Sequence, residues 1–265
     1  MTRLVLALLL ALLPLPAVAD ALRALTLRQD MLGWEGVGRL AFGRDGYCTG
    51  ALVAPDIVLT AAHCLFEDGT PRARETITFR AGDRAGEVIA ERGIVQAAVP
   101  EDYLAGRDDP ARRVAADVAL LRLDAPIPSG TARSFRVDPA IPRGAVSVVS
   151  YGAGRDAVPS RQARCNVLGR HGATLALDCD VTFGSSGAPV FRADGTDLRI
   201  VSIVAAGGSQ SGQSLAFGPV LDGRIAELTA RLRSGAGVWQ DAPTTARRIE
   251  PGPARAAGGA RFVRP

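Results

Sequence analysis

The sequence predicts an all-β fold closed by a single C-terminal helix, and two patterns in its 265 residues carry that expectation. Short runs rich in β-branched and apolar residues recur between residues 37 and 217, broken by Gly, Pro and Asp. That spacing suits a β-barrel and leaves no room for the helical crossovers of βαβ units. One stretch departs from it: Leu221, Ile225, Leu228 and Leu232 recur at helical spacing, with Asp222 near the start and Arg231 and Arg233 near the end, before Gly235.

In chain order, Arg3, the apolar run 4–13, Pro14 and Ala17-Val18-Ala19 form a charged start, an apolar core and a small-residue cleavage site. Residues 1–19 are therefore expected to be a signal peptide cut before Asp20. The apolar run is too short to span a bilayer, and no second one follows. Residues 20–36 are polar and then Gly-rich, with no apolar period, and read as an N-terminal strap or pro-segment. Strands are expected at 38–42, 50–53, 57–60, 76–80, 87–99 and 118–123, as a first β-barrel over residues 37–124. Pro126 and Pro128 keep helix out of the start of an inter-barrel linker, 125–143. Further strands at 145–150, 162–168, 174–177, 189–191, 198–205 and 214–217 fill a second β unit over 144–220, followed by a helix over 221–234. Residues 235–265, rich in Ala, Gly, Pro and Arg, read as a disordered basic tail.

Charge excludes one class of partner. All 31 basic residues are arginine. One lies in the leader and five lie beyond residue 240, which leaves 25 against 25 acids between residues 20 and 240. A neutral body with a basic tail is not the footprint of a nucleic-acid binder. The expected partner is a protein or peptide substrate, with no nucleic acid, no membrane once the leader is cut, and a monomeric chain.

The chemistry is expected in three segments. Thr182-Phe183-Gly184-Ser185-Ser186-Gly187-Ala188-Pro189 places a serine on a tight loop before an apolar strand, where the N–H groups of Gly184 and Ser186 can converge on one oxyanion. Such a turn alone is common in loops without chemistry. A serine needs a base, itself oriented by a carboxylate, and Leu59-Thr60-Ala61-Ala62-His63-Cys64 and Asp117-Val118-Ala119-Leu120-Leu121 supply both. His63 reads as the end of an apolar strand. Asp117 heads into a buried strand, where an unpaired carboxylate would cost several kcal/mol, and receiving the Nδ1 proton of His63 offsets that cost. His171, in a turn between strands, reads as an exposed residue rather than a base. Four cysteines in an exported chain imply two disulfides with three possible connectivities. The absence of a C-x-x-C or paired-His spacing speaks against a metal.

With the chain order His, Asp, Ser and no G-x-S-x-G elbow, residues 37–232 resemble a secreted bacterial serine endopeptidase of the trypsin-like, chymotrypsin-fold family. The resemblance implies two six-stranded antiparallel β-barrels with the site in the cleft between them and a closing C-terminal helix. It implies a hydrolase of peptide bonds, acting without cofactor through Ser186, His63 and Asp117. It also implies the pairings Cys48–Cys64 and Cys165–Cys179, and a specificity pocket with Asp180 at its floor and Ala205 and Gly207 on its wall. Asp180 in that place predicts cleavage after Arg or Lys, whereas the run Val204-Ala205-Ala206-Gly207-Gly208 lacks the pocket histidine of glutamyl endopeptidases. One departure stands out: trypsin pairs a freed N-terminus with an aspartate just before its nucleophile, and here that residue is Ser185. The oxyanion loop must therefore be held another way. The rival expectation is a catalytically silent pseudoprotease acting as a protein-binding module.

Overall fold

The chain enters through a two-residue strand, β1 (Arg23–Ala24), and then winds a closed antiparallel barrel. Its strands are β2 (Val37–Phe42), β3 (Tyr47–Ala54) and β4 (Ile57–Thr60), then, past a small hairpin of β5 (Phe66–Glu67) and β6 (Thr70–Pro71), β7 (Ile77–Ala81) and β8 (Ala90–Ala98). Two short helices, α1 (Glu101–Ala105) and α2 (Pro110–Ala115), lead to the sixth barrel strand, β9 (Ala119–Leu123). The ladder closes in the order β2-β3-β4-β9-β8-β7. The computed structural model describes residues 21–43, 46–106, 108–195 and 197–239. The expected signal peptide and the tail beyond residue 239 lie outside the described residues.

The second half is one curled sheet. It comprises β10 (Arg136–Val137), β11 (Ala145–Ser150), β12 (Ser160–His171), β13 (Thr174–Leu177), β14 (Pro189–Asp194), β15 (Asp197–Ile203), β16 (Ala206–Gln210) and β17 (Gln213–Pro219), with β1 added beside β12. Eight of its nine strands run as an open ladder from β10 to β16, so the described strands close one barrel and not two. The curl still brings β17 back over β15, where Ser202 Oγ donates to Pro219 O at 2.8 Å.

Period-two burial explains how the halves meet. Along β14, Val190 faces an inner core with Val146, Val148, Leu175 and Leu177, while its neighbour Phe191 faces the other way, into the core continuous with the barrel. There Phe191 packs edge-on against Trp34 and Phe135, with ring centroids 5.4 and 4.8 Å away.

Several sequence expectations need correction. Residues 20–36 lie against the body, with more structure than the lack of a period suggested: β1 pairs with β12, and Leu25, Met31 and Trp34 are buried. These apolar residues are too widely spaced to show a period. The linker contains β10, which pairs in parallel with β15. Residues 84–89 form a turn rather than the start of β8, with Ala85 at φ +52°. The helices α1 and α2 were not expected. The final helix, α3 (Arg224–Ser234), starts three residues late because Gly223 takes a left-handed conformation, although Leu221 is buried as the pattern required. Beyond it the chain does not leave the surface at once: Val238 N–H donates to Ala97 O and Trp239 Nε1 donates to Arg72 O.

Candidate active site

His63 is presented by a bend rather than by the end of a strand. β4 stops at Thr60, and residues 62–65 form a single 3₁₀ turn that holds His63 and Cys64, the latter bonded to Cys48 on β3. A disulfide across such a loop contributes about 3 kcal/mol and fixes the histidine backbone against β3. The sulfurs of Cys48 and Cys64 lie within 4.8 Å of a His63 ring nitrogen, but bonded to each other they are not thiolates for a metal.

Asp117 reaches His63 from the neighbouring strand: β9, which it precedes, pairs with β4, with Ala119 beside Thr60. Asp109 caps α2, accepting from the N–H groups of Ala111 and Arg112, and the helix ends two residues before Asp117 as the chain turns into β9. The Asp117 carboxylate, only 4% exposed, clamps His63 twice: Oδ1 accepts the backbone N–H at 2.8 Å and Oδ2 meets Nδ1 at 2.6 Å. A carboxylate accepting at Nδ1 puts the ring proton there and leaves Nε2 as an acceptor. Buried with two donors, the carboxylate has a partner on each oxygen.

The Ser186 loop is docked on the strands that lead to His63. Thr49 is the hub. Its N–H donates to Ser186 O, its hydroxyl donates to Gly184 O at 2.8 Å and accepts from Tyr151 N–H, and its carbonyl accepts from the Thr60 hydroxyl. Gly187, at φ +77°, has no room for a β-carbon, which would collide with Thr60 Oγ1 and Thr49 O. The loop thus lies hard against β3 and β4, three residues before His63. Ser185, where an aspartate was noted as missing, is fully buried: its hydroxyl donates to Ser150 Oγ at 3.1 Å and accepts from Thr182 N–H. A neutral pair of hydroxyls thus ties the residue before Ser186 to β11.

The three residues expected to form a specificity pocket differ in exposure. Asp180 is exposed, its N–H donating to Gln162 Oε1 at 2.8 Å and its carbonyl accepting from Arg155 at 3.4 Å. Ala205 is buried and donates its N–H to Phe217 O. A β-carbon on Gly207 would stand 3.1 Å from Val181 Cγ2, so a side chain there would crowd Val181. Cys179, directly before Asp180, is bonded to Cys165.

Sequence reasoning missed Thr49 and Ser150 as loop anchors, and it missed an apolar cleft of about 580 Å³ between α2 and the second sheet. Val114, Leu168, Leu215 and Phe217 line the cleft, and exposed His171 borders it. The alternation Leu215, Phe217 was readable as one strand face, but the partner face on α2 was not.

Residues 48–198 match the family model described as the trypsin-like peptidase domain. Three solved structures share the fold. A Glu endopeptidase superposes with a TM-score of 0.66 at 18% identity, covering 81% of this chain and 97% of that one. The thermostable serine protease AL20 from an extremophilic microorganism gives 0.60 at 22%, covering 74% and 96%. Protease Anisep from Arthrobacter nicotinovorans gives 0.61 at 19%, covering 79% and 100%. No curated protein sequence matches the chain.

Proposed function

The chain belongs to the trypsin-like peptidase family, and from that premise we propose that it hydrolyses peptide bonds with Ser186 as nucleophile, His63 as base and Asp117 as the group that orients His63. The observation that carries the reading is the double clamp of the buried Asp117 on His63, beside a serine loop docked on the same strands.

In the proposed reaction Ser186 Oγ forms a bond to the scissile carbonyl carbon as its proton passes to His63 Nε2, and the carbonyl oxygen takes up the negative charge. The N–H groups of Gly184 and Ser186 stabilise that oxygen. Collapse breaks the C–N bond, the amine leaves with the proton from Nε2, and an acyl ester stays on Ser186 until water, activated by the same histidine, releases it. Asp117 keeps the proton on Nδ1 and stabilises the imidazolium that forms. Two disulfides fit an exported protein, in keeping with the expected leader.

A fluorophosphonate probe tests this reading against a silent binding module. Wild type should label stoichiometrically while Ser186→Ala stays unlabelled and loses kcat on the order of 10⁶-fold. Equal labelling of the two proteins sinks the proposal.

A further inference from the structure

The peptide between Phe183 and Gly184 can present its N–H to the site in only one of two orientations, and little in its own sequence chooses between them. Gly184 sits at φ +85°, where glycine moves freely. Phe183 is 89% exposed, so its side chain anchors nothing.

Two contacts from outside the loop supply the choice. Ala153 N–H donates to Phe183 O at 2.7 Å. In a trans peptide the carbonyl and the N–H point in opposite directions, so this bond turns the Gly184 N–H away from residues 152–155. On its other side Gly184 meets the ring of Tyr47. A β-carbon on Gly184 would collide with that ring and stand 2.6 Å from Tyr151 O, so both close off that side of the residue. The ring is itself held. The Arg39 guanidinium stacks 4.0 Å from its centroid, and Arg39 in turn lies 3.7 Å from the Asp156 carboxylate.

We propose that Tyr47 is a positioning residue for catalysis, its ring locking the Phe183–Gly184 peptide with the Gly184 N–H turned into the oxyanion site. The proposal rests on the reading of Gly184 as an oxyanion donor. It acts through shape, so the phenol oxygen is dispensable and the ring is not.

The test compares Tyr47→Ala with Tyr47→Phe. Removing the ring should lower kcat by about 10- to 100-fold with KM within about twofold, a part of what losing a whole oxyanion donor costs. It should weaken inhibition by a peptide aldehyde by the same factor as kcat/KM, because the hemiacetal oxygen occupies the oxyanion position. Tyr47→Phe should stay within about twofold of wild type on both measures. Should Tyr47→Ala not fold, Ala153→Pro, which removes the N–H holding Phe183 O, should show the same kcat-selective loss. Unchanged kcat in Tyr47→Ala, an equal loss in Tyr47→Phe, or a loss carried by KM overturns the proposal. A wild type neither labelled by fluorophosphonate nor inhibited by the aldehyde refutes the parent reading, and the proposal falls with it. A wild type that is inhibited, with Tyr47→Ala inhibited equally, refutes only the role of Tyr47.

Discussion

Asp180 is an exposed carboxylate where a charge-selecting pocket would want a buried one. A solvated acid still attracts a cationic side chain, but each charge is screened and the selectivity is correspondingly shallow. Cleavage after Arg or Lys is therefore expected as a preference of modest size rather than an exclusive rule. On a p-nitroanilide panel, Arg substrates should lead apolar ones, and Asp180→Ser should remove that lead while leaving hydrolysis of apolar substrates within about twofold. An apolar residue preferred by wild type, or an Arg lead that survives Asp180→Ser, rules the assignment out. His63 and Asp117 were legible at this scale because each sits in a segment whose neighbours are apolar and whose chemistry has few other outlets. Thr49 was not: one buried threonine among many becomes a hub only when β11 and the 184–187 loop arrive beside it.

At the scale of elements, β3 is the part on which the site is assembled. It carries Cys48, bonded to the residue after His63, and Thr49, bonded to the 184–187 loop and to Tyr151. Thr49→Val keeps the shape and removes the hydroxyl, leaving Gly184 O and Tyr151 N–H buried without that partner. The variant should be less stable by about 2 kcal/mol, read from urea unfolding, and slower in kcat. Unchanged stability would mean that neither group depends on Thr49. The barrel strands were legible as short apolar and β-branched runs cut by Gly, Pro and Asp; β2 and β7 alternate in burial, whereas β3, β4 and β9 are buried almost throughout. The helices α1 and α2 were not, because at five and six residues they show too little periodicity to separate from a polar loop. β16 escaped for a related reason: Ala, Gly, Gly, Ser, Gln has no strand propensity, and it is a strand only because β17 pairs with it.

Across the whole molecule, Tyr151 ties the two halves together. It follows β11 in the second sheet, and its hydroxyl donates to Asp83 O in the first half at 2.8 Å. Burial, and then the Asp83 carboxylate, hold its phenol pKa far above the ordinary tyrosine value. Below about pH 10 the phenol is neutral in both folded and unfolded chains, and its contribution to stability is complete. Above that, the unfolded chain ionises and the folded one does not, so stability falls as pH rises. The urea midpoint of wild type should therefore drop between about pH 9 and 11. Tyr151→Phe should be less stable at neutral pH by about 1 kcal/mol, for the lost hydrogen bond, and should show a shallower alkaline decline. Identical declines would place the alkaline sensitivity elsewhere. None of this was legible in the sequence, which shows a tyrosine before a glycine and not the partner 68 positions away.

The two stitched margins of the described chain bear on how such an enzyme survives its own kind. A protease engages backbone that is extended and unpaired. At one margin Arg23 and Ala24 are already paired as a strand, with Leu25 sunk in the core. At the other, Trp239 is pinned to Arg72 by its indole. A second molecule would have to peel either segment off the body before it could take hold, so at residues 23–25 and 238–239 mutual digestion waits on local unfolding.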